Sequence, residues 1–265
     1  MGIFGNSHAW RATVLACGIA WFGSTADLTA GTLDSSMATI LNGGSTEPFG
    51  LLASAVSWGG LREKWRGVEH KLDDEGVQLA LCDGDRDRCV SPAALRLLAI
   101  VDIARAREGR ARLGEINRAI NLAIRPMSDL AQYGEIDVWS SPLETLASGA
   151  GDCEDYAIAK FVALRLAGIA PDDIRIVIMR DTLHGEDHAV AAVRLDGQWL
   201  TLDNRRMAMV ADTAVQNYRP LFVIDQSSVM QYIPAPLLAS IPGRDAATPV
   251  ALNSTIQPSL ISSAN

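Results

Sequence analysis

The sequence predicts an α+β fold: helices fill its first half, an antiparallel sheet its second, and one buried helix that begins with a cysteine packs on the sheet. Three observations predict it. Apolar residues recur at helical spacing from about residue 60 to residue 166. After Gly168 the pattern becomes that of strands. Asp196-Gly197 then separates two strand-like runs, a strong hairpin signal. Helices followed by strands read as α+β.

The elements follow in order. Gly60 to Leu72 mixes charged and apolar residues at helical spacing. Ser91-Pro92 opens a helix, with serine as cap and proline in the first turn; it carries Leu95, Leu97, Leu98, Val101 and Ile103 and stops near Gly109. A further helix is expected from about Leu113 to Arg125, ended by Pro126. Ser141-Pro142-Leu143-Glu144 opens a short one, with Glu144 placed to close a capping box. The Gly149-Ala150-Gly151 turn ends it. Asp152 is then expected to cap the next helix, with Asp155 at its third position. That helix carries Tyr156, Phe161, Val162, Leu164 and Leu166, is apolar on most sides, and is therefore central. Strands are expected over Ile174–Met179, Asp187–Leu195, Gln198–Asp203, Leu221–Ile224 and Val229–Ile233.

Ahead of the fold, Arg11 precedes an apolar run, Ala12 to Phe22, and small residues follow. This describes a secretory signal peptide over residues 1–30, with Ser24-Thr25-Ala26 and Leu28-Thr29-Ala30 as alternative cleavage ends. The run is short for a membrane span, and an uncleaved anchor is the competing reading. Residues 31–50, rich in Gly, Ser and Thr, read as a linker; residues 51–240 read as the domain; residues 241–265, rich in Ala, Thr, Ser and Pro, read as a disordered tail. The formal net charge of -8 argues against a nucleic-acid binder, which carries a basic footprint.

Export gives the cysteines meaning. Cys17 leaves with the signal. Cys82 and Cys89 flank the polar loop 83–88 and are natural disulfide partners in an oxidising compartment. The acids of that loop lack the spacing of a calcium-binding EF-hand. Cys153 is left as the odd thiol, in the first turn of a helix, where backbone N–H groups and the dipole favour a thiolate.

The hairpin supplies a geometric test for its partners. A two-residue turn at Asp196-Gly197 pairs Leu195 with Gln198, and so Val190 with Asp203. His188 and Asp203 then become diagonal neighbours on one face, with Trp199 and Thr201; Ala189, Ala191, Val193, Leu195, Leu200 and Leu202 make the opposite, core face. Cys153, His188 and Asp203 thus read as nucleophile, base and orienter. His184 competes as the base, from a polar loop, and Asp196 and Asp212 are rivals of Asp203. Asp152, Glu154 and Asp155 would oppose a thiolate by their charge. They are ordinary acids at a helix N-terminus or ligands of a hard cation such as Ca2+.

At these residues the chain resembles the bacterial transglutaminase-like cysteine peptidases of the LapG type. Ser141-Pro142-Leu143-Glu144-Thr145-Leu146, Gly151-Asp152-Cys153-Glu154-Asp155-Tyr156-Ala157, Asp187-His188-Ala189-Val190 and Leu202-Asp203-Asn204 carry the resemblance. It implies a papain-like, transglutaminase-like core and a Cys153/His188/Asp203 triad. It further implies a calcium site at Asp152, Glu154 and Asp155, and a periplasmic protease with a protein substrate. For that family the substrate is a surface adhesin, and an inner-membrane cyclic-diguanylate receptor sequesters the enzyme. The Cys82/Cys89 pair and the Ser/Pro-rich tail are departures, so fold and triad transfer better than substrate or receptor. Two other functions remain open on the same residues. One is a transglutaminase, in which an amine replaces water; the other is a non-catalytic binding module.

Overall fold

Residues 46–233 are described by a computed structural model. The expected signal peptide, the expected linker up to residue 45 and everything beyond residue 233, including the expected tail, lie outside the described residues.

The chain enters through a 3-10 turn, Pro48–Gly50, and a short edge strand β1 (Ala53–Ala55). Helix α1 (Gly60–Gly84) runs three turns past the expected end at Leu72 and buries Trp65, Val68, Leu79 and Cys82. In its last turn Cys82 is joined to Cys89 by a disulfide. Helix α2 (Pro92–Arg105) starts as expected, with Ser91 Oγ accepting from the Ala94 N–H at 3.2 Å. Helix α3 (Gly109–Ala123) begins earlier than expected and is over by Ile124, which is extended. Pro126 disfavours helical geometry at Arg125, which explains the stop.

A two-residue strand β2 (Arg125–Pro126) follows, then the short helix α4 (Asp129–Tyr133). Helix α5 (Pro142–Ser148) carries the capping box expected of Ser141 and Glu144. It is followed by β3 (Ala150–Gly151), which pairs in parallel with β2: Arg125 opposite Ala150 and Pro126 opposite Gly151. Helix α6 (Cys153–Leu166) comes next and is buried along most of its length. Trp65 of α1 meets its Phe161 edge-to-face, with ring centroids 5.8 Å apart. Such a pair adds about 0.5–1.5 kcal/mol beyond the burial of its apolar area.

The strands are β4 (Ile174–Asp181), β5 (Glu186–Leu195), β6 (Gln198–Leu202), β7 (Val210–Ala211), β8 (Tyr218–Ile224) and β9 (Val229–Tyr232). They form one sheet in the order β1-β9-β8-β4-β5-β6-β7, antiparallel at every pairing. The hairpin register is the one read from sequence: Leu195 opposite Gln198 and Ala191 opposite Leu202. Asp196 (φ 51°) and Gly197 (φ 79°) both adopt the left-handed conformation that a tight hairpin turn requires. With α6 packed on the antiparallel sheet, the fold is the expected α+β core.

The sheet corrects two expectations. Ala189, Ala191, Val193, Leu200 and Leu202 belong to the main core with the helices, as expected. The opposite face is also covered: Val177, Met179, Val190, Ala192, Trp199, Val223 and Tyr232 form a second, smaller core, against which Phe49 and Leu51 pack. The stretch read as linker is therefore part of the domain from residue 46. Trp199 Nε1 donates to the Thr46 carbonyl at 3.0 Å, and Arg175 makes two hydrogen bonds to Glu47, at 2.8 and 3.1 Å. Its small residues hid this, because a few extended residues covering a sheet carry no periodic signal.

Candidate active site

The β2–β3 bridge builds one side of the site. The Met127 N–H donates to the Gly151 carbonyl at 3.0 Å, and the Arg125 N–H to the Gly149 carbonyl at 2.9 Å. The segment leading into α4 is thereby bound to the segment leading into α6, which sets Asp129 beside Asp152. Gly151 is required there for space: a Cβ would sit 2.5 Å from Asp155 Oδ2 and 2.8 Å from Asp155 Cβ.

A cleft of about 760 Å³ opens at this end of α6. Cys153, Asp129, Asp152 and Glu154 line it with His188, and Trp139, Ile178 and Phe222 give it apolar walls. Cys153 is the first residue of α6, as expected. Its thiol donates to Glu154 Oε2 at 3.1 Å. Burial pushes the thiol pKa up, and the charge of Glu154, then that of Asp152, pushes it further.

On the sheet, His188 is 1% exposed, and its Nε2 lies 3.0 Å from Asp203 Oδ1. Burial alone would raise the Asp203 pKa, but the hydrogen bond and charge of His188 outweigh it and hold it below the ordinary value. In the neutral imidazole an ionised Asp203 accepts from Nε2–H, which leaves the lone pair on Nδ1. His188 Nδ1 is buried without a hydrogen-bond partner. The Tyr218 ring lies 5.7 Å from the imidazole, centroid to centroid. Asp203 Oδ1 also accepts from the Arg205 N–H at 2.9 Å.

The rivals are placed elsewhere. His184 is exposed and bound to Asp181 Oδ2 at 2.9 Å. Asp196 belongs to the hairpin turn, and Asp212 accepts from the Phe49 N–H at 2.6 Å. The loop between Cys82 and Cys89 is tied by Arg86 to Asp83 and Asp102.

The acids differ from the expected set. Asp129, Asp152 and Glu154 bring carboxylate oxygens within 4.8 Å of one another. Asp155 stands outside that group; it is 0% exposed, and its Oδ1 accepts from the Ser140 N–H at 2.9 Å. Asp152 occupies the cap position of α6 but makes no side-chain capping bond, which corrects the expected cap. Burial raises its pKa to about 9, with the Glu154 charge adding to the rise. Burial likewise raises that of Asp129. Sequence reasoning missed Asp129, and the one local signal for it was Ser128-Asp129 as the start of a short helix.

A thiol at a helix start, sharing a cleft with a buried His–Asp pair from an antiparallel sheet, defines the class of a cysteine peptidase on a transglutaminase-like core. The family model of the bacterial transglutaminase-like cysteine proteinases (BTLCP) matches residues 79–232, more than half of the chain, and the chain belongs to that family. No curated protein matches it. Among solved structures it is similar to Legionella pneumophila LapG at 20% identity and a TM-score of 0.49, over 59% of this chain and 86% of that one. For the EGTA-treated form of that protein the values are 19%, 0.49, 62% and 91%. For its calcium-bound form they are 21%, 0.41, 53% and 92%.

Proposed function

We propose that the protein is an exported, calcium-dependent cysteine endopeptidase with Cys153 as nucleophile, His188 as base and Asp203 as orienter. The observation that carries this reading is the buried His188, held by Asp203 through Nε2 and left with a free lone pair on Nδ1, in the cleft of Cys153. In the proposed reaction Nδ1 takes the thiol proton and the sulfur attacks the scissile carbonyl. The imidazolium returns the proton to the leaving amine as the C–N bond breaks. Water, deprotonated by the same imidazole, then hydrolyses the thioester. In this reading N–H groups of the first turn of α6 receive the oxyanion.

Asp129, Asp152 and Glu154 fit a hard cation. Asp129 Oδ1 and Asp152 Oδ1 are buried without hydrogen-bond partners, and three clustered carboxylates suit calcium. Bound there, calcium would supply positive charge that offsets the acids opposing the Cys153 thiolate. Glu154, now holding the thiol hydrogen, would turn to the cation and free the thiol for His188.

Export is supported by the Cys82–Cys89 disulfide, which suits an oxidising compartment, and by the signal-like N-terminus. The family resemblance supports a periplasmic location, a surface adhesin as substrate and a cyclic-diguanylate receptor as regulator. The test is cleavage of adhesin fragments from the same organism, with calcium, with chelator, and with Cys153→Ala. Cutting that needs both calcium and Cys153 is expected. Cutting by Cys153→Ala would refute the mechanism. Incorporation of a labelled amine in place of hydrolysis would reassign the acyl acceptor.

A further inference from the structure

One polar group inside the core takes no part in this mechanism. Lys160, seven residues after Cys153 on α6, is 0% exposed. Its Nζ donates to the Leu202 carbonyl at 3.1 Å, at the end of β6 and one residue before Asp203. Asn117 and Asn121 stand four residues apart on one face of α3 and reach the same strand end. Asn121 Nδ2 donates to the Asp203 carbonyl at 3.0 Å and to that of Arg206 at 3.1 Å. Asn117 Nδ2 donates to the carbonyls of Arg206 and Met207, at 3.1 and 3.0 Å.

Here the chain leaves the sheet. Strand β6 ends at Leu202, which still pairs with Ala191, and β7 begins only at Val210, so the carbonyls of Asp203, Arg206 and Met207 lie outside the strands; that of Asp203 also accepts from the Arg206 N–H at 3.4 Å. Buried carbonyls need donors. The two asparagines of α3 supply them as side chains, and Lys160, from the cysteine's own helix, adds a donor at Leu202, the last residue of the strand. A lysine is a costly donor in such a place, because burying its ammonium is unfavourable. Burial lowers its pKa to about 7, against the raising effect of Asp203. A hydroxyl or an amide would donate to a carbonyl at lower cost. The long lysine stem spans from α6 to the end of β6, tying the helix that carries the thiol to the strand that delivers Asp203.

We infer that Lys160 and Asn121 are positioning residues that act through Asp203, fixing its backbone so that its carboxylate meets His188 Nε2. This rests on the catalytic reading of Asp203 given above.

The test is the rate of alkylation of Cys153 by iodoacetamide, read at that residue by peptide mass mapping in calcium-containing buffer. The proteins are the parent, Lys160→Met, Asp203→Ala and the double variant, each with its melting temperature. Lys160→Met should slow alkylation several-fold without lowering the melting temperature. Asp203→Ala should slow it by about tenfold or more. The double variant should be no slower than Asp203→Ala, since a residue acting through Asp203 has nothing left to act on. Equal slowing by Lys160→Met on both backgrounds, or none on the parent, would overturn the inference and leave the triad standing. An Asp203→Ala protein with parental reactivity would overturn the triad, and this inference with it. If Lys160→Met fails to fold, Asn121→Ala on the same two backgrounds gives the same comparison.

Discussion

The Cys153 thiol donates its hydrogen to Glu154 Oε2 at 3.1 Å, and His188 Nδ1 has no hydrogen-bond partner. A carboxylate thus holds the proton that, in the proposed mechanism, the imidazole takes. Glu154 raises the thiol pKa both by its charge and by that hydrogen bond, second only to burial. In Glu154→Gln the charge is gone, so the thiolate fraction at a given pH rises. In chelator this variant should be alkylated at Cys153 by iodoacetamide faster than the parent, by several-fold, and it should lose the response to calcium. An unchanged rate in chelator would show that Glu154 does not restrain the thiol.

Calcium should stabilise the fold through Asp129, Asp152 and Glu154. At a concentration of about 100 times Kd, binding adds about 2.7 kcal/mol. For a domain of this size that corresponds to a rise in Tm of about 5–10 °C. Asp129→Asn should abolish most of this rise. Asp155→Asn should retain it, because the amide oxygen can still accept from the Ser140 N–H. Differential scanning fluorimetry with calcium and with chelator checks both; loss of the response in Asp155→Asn alone would restore the ligand set read from sequence.

Lys160 makes stability depend on pH. Its folded pKa, lowered to about 7, lies below the ordinary lysine value of 10.5. Between these values the unfolded chain binds the proton and the folded one does not, so stability rises with pH across that window. The parent should therefore gain stability relative to Lys160→Met as pH is raised from about 7 to about 10, in urea unfolding at each pH. A constant difference would mean that Lys160 keeps an ordinary pKa in the fold.

Gly151→Ala should destabilise the protein by about 1–3 kcal/mol, the usual cost of forcing extra volume into a packed site. The Cβ would meet the Asp155 side chain, which cannot retreat without releasing Ser140. The same shift would disturb Asp152, so calcium affinity should fall as well. Urea denaturation and calcium titration of this variant measure the two effects; parental stability would show that the turn yields.

Local pattern by itself determined a good deal of this protein. Ser91-Pro92 and Ser141-x-x-Glu144 mark helix starts because capping is satisfied within a few residues. Asp196-Gly197 set the register of β5 and β6, and with it the meeting of His188 and Asp203, because a two-residue turn leaves one pairing. The place of Cys153 at the start of a buried helix was legible for the same reason.

Tertiary structure alone decided the rest. The bridge of Arg125–Pro126 to Ala150–Gly151 spans two residues on each side, too few for any periodicity, yet it selects Asp129 as the third acid of the cluster. Asp155, a neighbour of Glu154 in sequence, turns inward to Ser140, because successive helical residues point about 100° apart. Lys160 and Asn121 have no role legible from their own helices; the end of β6 supplies carbonyls for them only in the folded chain. Periodicity reports which side of its own element a residue occupies. Which distant backbone arrives on that side is settled only when the elements pack and every buried polar group must find a partner.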